Sequence, residues 1–413
     1  MDPDEDDDDE DNALILERLV AQLDQDLPHL DLDESFTVLQ ELGSGSYGSV
    51  LLTQPRDGGS PLVLKLLRKE RTERSAFLWE LCIAQGVSGH SSCLRALPVA
   101  FETSTHFGFG LELAPNGDLC ELLRPGGLPE PQIKLCASQL SSALDFLHGR
   151  ALVHADVKLD NVLLFDPHCQ RIKLGDFGLT RVQGFPMGPM QTPLPYAPPE
   201  LCSLQGSQTL PLDPSLDVWA FGVLLFCLCT GCFPWAVAME TDAGYQEFSA
   251  WQRGQRAAVP AAWGDIGAVG LGMLRRLLSL DPDRRSPAME VNQYLEGHGM
   301  VWNGKGRNGM GWDGMEWDGM GRGGFHYHAM GWDGNGTWNG VEWEGGVSIR
   351  KHRMVGMGSR HGMGWGGMGW EGGFLLGGME WVGMGWGHGM GWNVKRKLPL
   401  GCSTVVLSTA GIG

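Results

Sequence analysis

The chain has 413 residues, 62 of them glycine, and a formal net charge of -18. That length allows two or three domains, but the glycines concentrate after residue 297, so what remains is one large domain or two packed lobes. The folded part has no basic stripe interleaved with aromatics, which excludes a nucleic-acid binder.

Nine acidic residues crowd positions 1–11. Like charges at that density repel one another, so 1–11 reads as a disordered acidic tail. Residues 12–27 (NALILERLVAQLDQDL) repeat leucine and valine at helical spacing. They predict a short amphipathic helix, docked on the domain or binding a partner, that fills 12–35 together with a linker. The ten cysteines are scattered and no signal peptide precedes them, which suits a reducing, cytoplasmic setting. Cys229 and Cys232 have metal or redox spacing, but no second pair accompanies them.

From Phe36 the texture changes. Residues 36–42, 49–54 and 62–67 read as three short strands separated by Gly/Ser and Arg56-Asp57-Gly58-Gly59 turns. A helix is expected over 70–86, then strands near 96–102 and 107–113. Helices follow at about 130–149, 216–230, 244–254 and 267–279, with a short strand pair at 162–165 and 171–174. A strand-rich part over 36–113 and a helical part over 114–296 predict an α+β fold of two lobes with a cleft between them. The apolar run Val218 to Trp235 approaches bilayer length but lacks flanking basic residues, and reads as a buried core helix.

Phosphoryl transfer requires a held triphosphate, charge-offsetting magnesium and an aimed acceptor hydroxyl, and the chain offers a candidate for each. Gly43-Ser44-Gly45-Ser46-Tyr47-Gly48-Ser49-Val50 joins the first two strands, and glycines there let backbone N–H groups approach phosphates. Lys65 lies inside the apolar strand Val63-Leu64-Lys65, costly without a partner, and Glu80 on the next helix is the natural one. In His154-Ala155-Asp156-Val157-Lys158-Leu159-Asp160-Asn161, Asp156 is placed to accept the hydroxyl proton, Lys158 to sit near the transferred phosphate and Asn161 to bind a magnesium ion. Fifteen residues later Asp176-Phe177-Gly178 supplies a second metal ligand, Asp176.

These motifs make residues 36–296 resemble eukaryotic protein kinases of the bilobal fold. The resemblance implies ATP contacts at Leu42 and Val50, a gatekeeper at Leu111, a hinge at Glu112 and Leu113 reaching Ala114, and a ribose contact at Asp118. It also implies that Arg285 pairs with Glu200 of Pro198-Pro199-Glu200, and that Asp217 and Trp219 brace the catalytic loop. Ala114-Pro115-Asn116-Gly117-Asp118-Leu119, Leu144-Asp145-Phe146-Leu147-His148-Gly149-Arg150, Val162-Leu163-Leu164-Phe165-Asp166 and Phe233-Pro234-Trp235 are similar to the SH3-binding-domain serine/threonine kinase (SBK) family. The resemblance implies an ATP- and Mg2+-dependent serine/threonine kinase acting on protein substrates as a monomer, away from nucleic acid and membrane. The alternative is a pseudokinase-like nucleotide-binding scaffold.

Two departures stand out. Most kinases carry arginine where this chain has Ala155, and that arginine clamps a phosphate on the activation loop. Its loss predicts activity independent of phosphorylation at Thr180 or Thr192. The loop is also proline-rich, so that Thr192 is one position from where the family places a substrate-positioning threonine, near Pro193. Pro186-x-x-Pro189 and Pro195-x-x-Pro198 have the spacing SH3 domains read.

Beyond residue 297 methionine and tryptophan recur on a five-residue period (Met310, Met315, Met320; Trp312, Trp317), which matches neither helix nor strand. Repeats of the DNA string ATGGG encode Met-Gly-Trp-Asp-Gly. The 297–413 tail is therefore expected to be translated repetitive DNA, disordered or artefactual.

Overall fold

The computed structural model describes residues 5–45, 47–190 and 194–296, with side chains from residue 16, and the backbone of five short stretches beyond residue 325. The chain divides into two units at Asn308/Gly309.

The first unit opens with helix α1, Glu5–Asp26. The acidic run expected to be disordered over 1–11 is thus helical from Glu5. Carboxylates are favoured in the first turns of a helix, where unpaired N–H groups carry partial positive charge. Asp31 caps the one-turn α2, Leu32–Ser35, by accepting from Asp33 N and Glu34 N.

Strands β1 (Phe36–Ser44), β2 (Gly48–Pro55), β3 (Leu62–Arg68), β4 (Ala96–Glu102) and β5 (His106–Leu111) form an antiparallel sheet in the order β1-β2-β3-β5-β4. One face buries Phe36, Leu51, Leu62, Leu64, Leu66 and Phe101. Helix α3 (Arg74–Val87) supplies Phe77, which stacks on Phe107 of β5 with ring centroids 4.9 Å apart. Being covered on both faces, β3 reads from Leu62 to Leu67 as an apolar run broken only at Lys65.

The second lobe holds α4 (Glu130–His148), the short pairs β6 (Leu152–Val153) with β9 (Arg181–Val182) and β7 (Val162–Leu164) with β8 (Ile172–Leu174), and β10 (Pro186–Met187). It continues through α5 (Pro199–Cys202), β11 (Leu210–Pro211), α6 (Pro214–Thr230), α7 (Ala243–Gln252), α8 (Ala268–Leu277) and α9 (Asn292–Leu295). Every residue of α6 from Leu216 to Cys229 is buried, as expected of an apolar run at the centre of a lobe. Trp219 of α6 meets Trp235 and Phe248, and these two meet Trp263, at centroid separations of 4.9–6.4 Å. Among the described residues no helix is long and apolar enough to cross a membrane.

In the second unit β12 (His326–Trp332), β13 (Thr337–Glu344) and β14 (Ser348–Val355) form an antiparallel sheet, and β15 (Asn393–Val394) pairs with β16 (Leu407–Ser408). The disorder expected over 297–413 otherwise falls outside the described residues. β-Branched and aromatic residues such as Trp338, Val341, Trp343 and Ile349 favour strand in the stretches described.

Candidate active site

The glycine-rich turn joins β1 to β2, with Gly45 N donating to Gly48 O at 2.8 Å. Its glycines have different duties. A Cβ at Gly43 would meet nothing within 4 Å, leaving that face open to a ligand. At Gly48 it would lie 1.8 Å from the Leu66 carbonyl oxygen, so the close approach of β2 to β3 tolerates no side chain. Leu42 and Tyr47 are exposed, Ser44 lies at the end of β1, and Val50 is half-buried opposite Lys65; Ser46 lies outside the described residues.

Lys65 brings the two lobes together. Its Nζ lies 2.6 Å from Glu80 Oε1 on α3 and 2.7 Å from Asp176 Oδ1. Burial opposes the charge on Lys65, but the Glu80 and Asp176 carboxylates outweigh it and hold the ammonium well above the ordinary lysine range. Asp176 shows the converse: its surroundings disfavour the charge, yet Lys65 brings the carboxyl down to about 2. Asp176 has φ 57°, a left-handed conformation that an L-residue adopts only when its neighbours impose it.

The catalytic-loop residues converge as their spacing suggested. Asp156 Oδ2 accepts from Lys158 Nζ and Asn161 Nδ2, both at 2.8 Å, and the same Asn161 nitrogen donates to Asp156 O at 2.7 Å. Asp156 Oδ1 is left for another donor, and the Asn161 amide oxygen for another ligand. Asp217, 1% exposed, holds the loop from below. Its carboxylate accepts from His154 N and Ala155 N, each at 2.8 Å, and contacts His148 Nε2 at 2.9 Å. Burial pushes the Asp217 carboxyl up, but these bonds prevail and hold it below the usual value. They also stabilise Ala155 at φ 63°.

Where the resemblance places the hinge, Glu112 N donates to Arg95 O at 3.1 Å. The Glu112 side chain is anchored in turn: Lys173 Nζ on β8 lies 2.5 Å from Oε1, and Arg95 N donates to the same oxygen at 2.7 Å. Leu111 ends β5 opposite Val63, and Leu113 is half-buried beyond it. Asp118 Oδ1 accepts from Cys120 N at 2.8 Å. Burial, with Asp160 nearby, pushes the Asp118 carboxyl up to about 6.

Arg285 meets Glu200 through two parallel bonds of 2.6 and 2.8 Å, its side chain wholly buried over the Trp219 ring. The segment that follows Asp176 is fastened by its own pairings and packing. β10 pairs with β11 (Met187↔Leu210), Leu212 N donates to Phe185 O at 2.9 Å, and Ala155 packs with Met187 and Leu210 against Val153, Leu212 and Leu216. Thr180 is fully buried, with Oγ1 3.4 Å from the His154 carbonyl. Thr192 and Pro193 lie outside the described residues. Pro195 and Pro198 are buried, so the second SH3-type motif is not presented, because Pro195 O is engaged by Trp235 Nε1 at 3.0 Å. Pro186 and Pro189 of the first motif are exposed.

The structure thus gathers Glu80, Lys65 and Asp176 into one side-chain network and Lys158, Asp156 and Asn161 into a second, the two tied through the backbone where Gly175 N donates to Asn161 O at 2.8 Å. Two supporting residues escaped the sequence reading. Lys173 carried the signal that singled out Lys65, a lysine inside the apolar strand Ile172-Lys173-Leu174. Trp79, whose Nε1 donates to Thr180 O at 2.8 Å, reads in sequence as one more apolar helix residue.

The protein kinase domain family matches residues 36–295. The serine/threonine-protein kinase SBK1 of Danio rerio is 41% identical over 295 residues, covering 71% of this chain and 76% of that protein. SBK2 of Homo sapiens is 41% identical over 287 residues, 68% of this chain and 82% of that protein. The serine/threonine-protein kinase meng-po of Drosophila melanogaster is 34% identical over 275 residues, 66% and 60% of the respective chains.

Proposed function

The chain belongs to the SBK family of serine/threonine protein kinases, and from that premise we propose the role of each residue in the transfer of the ATP γ-phosphate to a protein hydroxyl. The observation that carries the proposal is the unbroken link Glu80–Lys65–Asp176 across the cleft. Lys65, kept cationic, orients the α- and β-phosphates. Asp156 accepts the hydroxyl proton through Oδ1, and Lys158 stands beside it to meet developing charge on the transferred group. Asn161 and Asp176 offer an amide oxygen and an ionised carboxylate, hard donors that fit magnesium; the metal when bound offsets phosphate charge. The Leu113 backbone reads the adenine edge, and Leu42, Val50 and Leu111 border the base. ATP with magnesium should therefore raise the melting temperature. At about 100 times Kd the gain is roughly 2.7 kcal/mol, and a calorimetric scan with no magnesium-dependent shift would count against these assignments.

Asp118 takes the ribose hydroxyls. An ionised carboxylate accepts both, whereas a protonated one accepts less well. Because the folded-state value is raised to about 6, the group is protonated at lower pH and charged at higher pH. Adenosine, which has no phosphate to titrate, should bind about fivefold more tightly at pH 7 than at pH 5. Asp118→Asn should flatten that profile; a flat profile in the unmodified chain would remove Asp118 from the ribose site.

Regulation follows from Ala155. In place of an arginine–phosphate clamp, an apolar cluster and the β10–β11 pairing hold the activation segment. Thr180 has no room for a phosphate. Phosphatase treatment should leave turnover within about twofold, and a tenfold loss would show that a phosphate clamp exists after all.

A further inference from the structure

We propose that α1 is a built-in activating brace: docked on α3, it holds Glu80 against Lys65. The inference rests on the role given above to that pair. Leu16, Val20 and Leu23 are half-buried along one side of α1, while Leu19, 46% exposed, faces outward. At the end of α1, Asp24 Oδ1 meets Arg74 Nε at 2.5 Å. Arg74 Nη1 reaches Glu102 Oε2 at 2.8 Å, and Lys69 Nζ meets the same oxygen at 2.7 Å. The connector is pinned by Glu102 N donating to Pro28 O at 2.9 Å and Leu30 N to Glu102 O at 3.0 Å. Arg74 is the first residue of α3, and Glu73 at the cap position makes no side-chain capping bond. The first turn of α3 therefore lacks a local side-chain cap, and its Arg74 side chain is tied instead to Asp24 at the end of α1.

The contact leads directly to the active site. Val20, Ala21 and Asp24 of α1 face Arg74, Leu78 and Trp79 of α3 across an open groove of about 400 Å³. Trp79 precedes Glu80. Its indole donates to Thr180 O, and the Arg181 guanidinium lies 5.9 Å from its ring centroid. Arg181 Nη1 in turn donates to Gly178 O and Thr180 O at 3.0 and 2.7 Å. One side of α3 thus touches α1 while the next residues hold Lys65 and the segment following Asp176. Because the α1 residues along this side are only half-buried, the dock is a surface contact and not part of a core. A helix that merely covered surface would alter stability and leave turnover alone.

The test uses the full chain. Val20→Glu/Leu23→Glu charges the docking side; Leu19→Glu charges the outer side as a control. The double variant should lose at least about tenfold in kcat, and amide exchange over residues 75–84 should quicken at least about tenfold, with Leu19→Glu unchanged in both. A double variant within twofold of the parent, or one that loses turnover with α3 exchange unaltered, would overturn the brace. Should the double variant fail to fold, Asp24→Arg places like charge beside Arg74 at an exposed pair. It should cost about threefold in kcat and quicken α3 exchange; no change in either overturns the proposal. Exchange is read independently of turnover. A parent that transferred no phosphate would overturn the catalytic assignments alone, while the exchange comparison still decides the brace.

Discussion

Asp156→Asn is expected to lower kcat by about a thousandfold while leaving ATP affinity within about threefold. Both Lys158 Nζ and Asn161 Nδ2 already occupy Oδ2 of this carboxylate, so Oδ1 is the oxygen free to receive the substrate proton. An amide in its place must turn its oxygen toward those two donors and its NH2 toward the substrate hydroxyl. It then offers a donor where an acceptor is required. Nucleotide binding rests on other residues: Lys65, the glycine turn and the hinge do not touch the Asp156 side chain. Steady-state kinetics with varied ATP separates the two quantities. An equal fall in affinity would mean that Asp156 organises the nucleotide site instead of serving the acceptor.

Asp217→Ala should cost roughly 3–5 kcal/mol of stability and, at temperatures where the chain remains folded, about a hundredfold in kcat. This carboxylate is almost wholly buried, and its removal leaves the N–H groups of His154 and Ala155 without their acceptor. Ala155 also loses what maintains its left-handed backbone, and Asp156 is the next residue. The loop would relax toward ordinary φ and carry the acceptor oxygen away from the substrate. The sign of the pH effect follows from the folded-state carboxyl lying below its usual value. The stabilisation is full above the unfolded-state value near 4 and disappears only as pH falls through the lower folded one. Chemical denaturation at a series of pH values from 7 downward should therefore show a parent–variant difference that is constant above about 4 and shrinks only below it. A variant as stable as the parent at pH 7 would mean that the two N–H groups find other acceptors.

Much of this arrangement was legible in the sequence because its determinants are local. Each strand of the first lobe begins within two residues of its predicted position, since strand period and turn glycines fix it. The all-round apolar α6 could only be a lobe centre. Lys65, Asp156, Asn161 and Asp176 announced themselves as polar residues in apolar or short-loop settings, where only a partner or ligand justifies them. What escaped was non-local. Arg74 and Asp24 are exposed charges 50 positions apart, and nothing in either segment marks the other. The β10–β11 pairing places Pro186 opposite Pro211, residues that sequence reasoning keeps out of ladders because they cannot donate. The acidic run was read as self-repelling coil, although attachment to an amphipathic helix supplied the positive end that accommodates it. The burial of Thr180 and of Pro195 depends on how the activation segment folds back against Val153 and Leu212, which no short window encodes.

The most direct test of the central claim is phosphate transfer by the full chain from γ-labelled ATP, with magnesium, to a mixture of proteins, beside Asp156→Asn. The placement of Lys65, Glu80, Asp156, Asn161 and Asp176 around one cleft predicts labelled phosphoserine and phosphothreonine from the parent and only trace label from the variant. Equal labelling by both, or magnesium-dependent ATP binding with no transfer above the variant, would contradict it and leave a nucleotide-binding scaffold in its place.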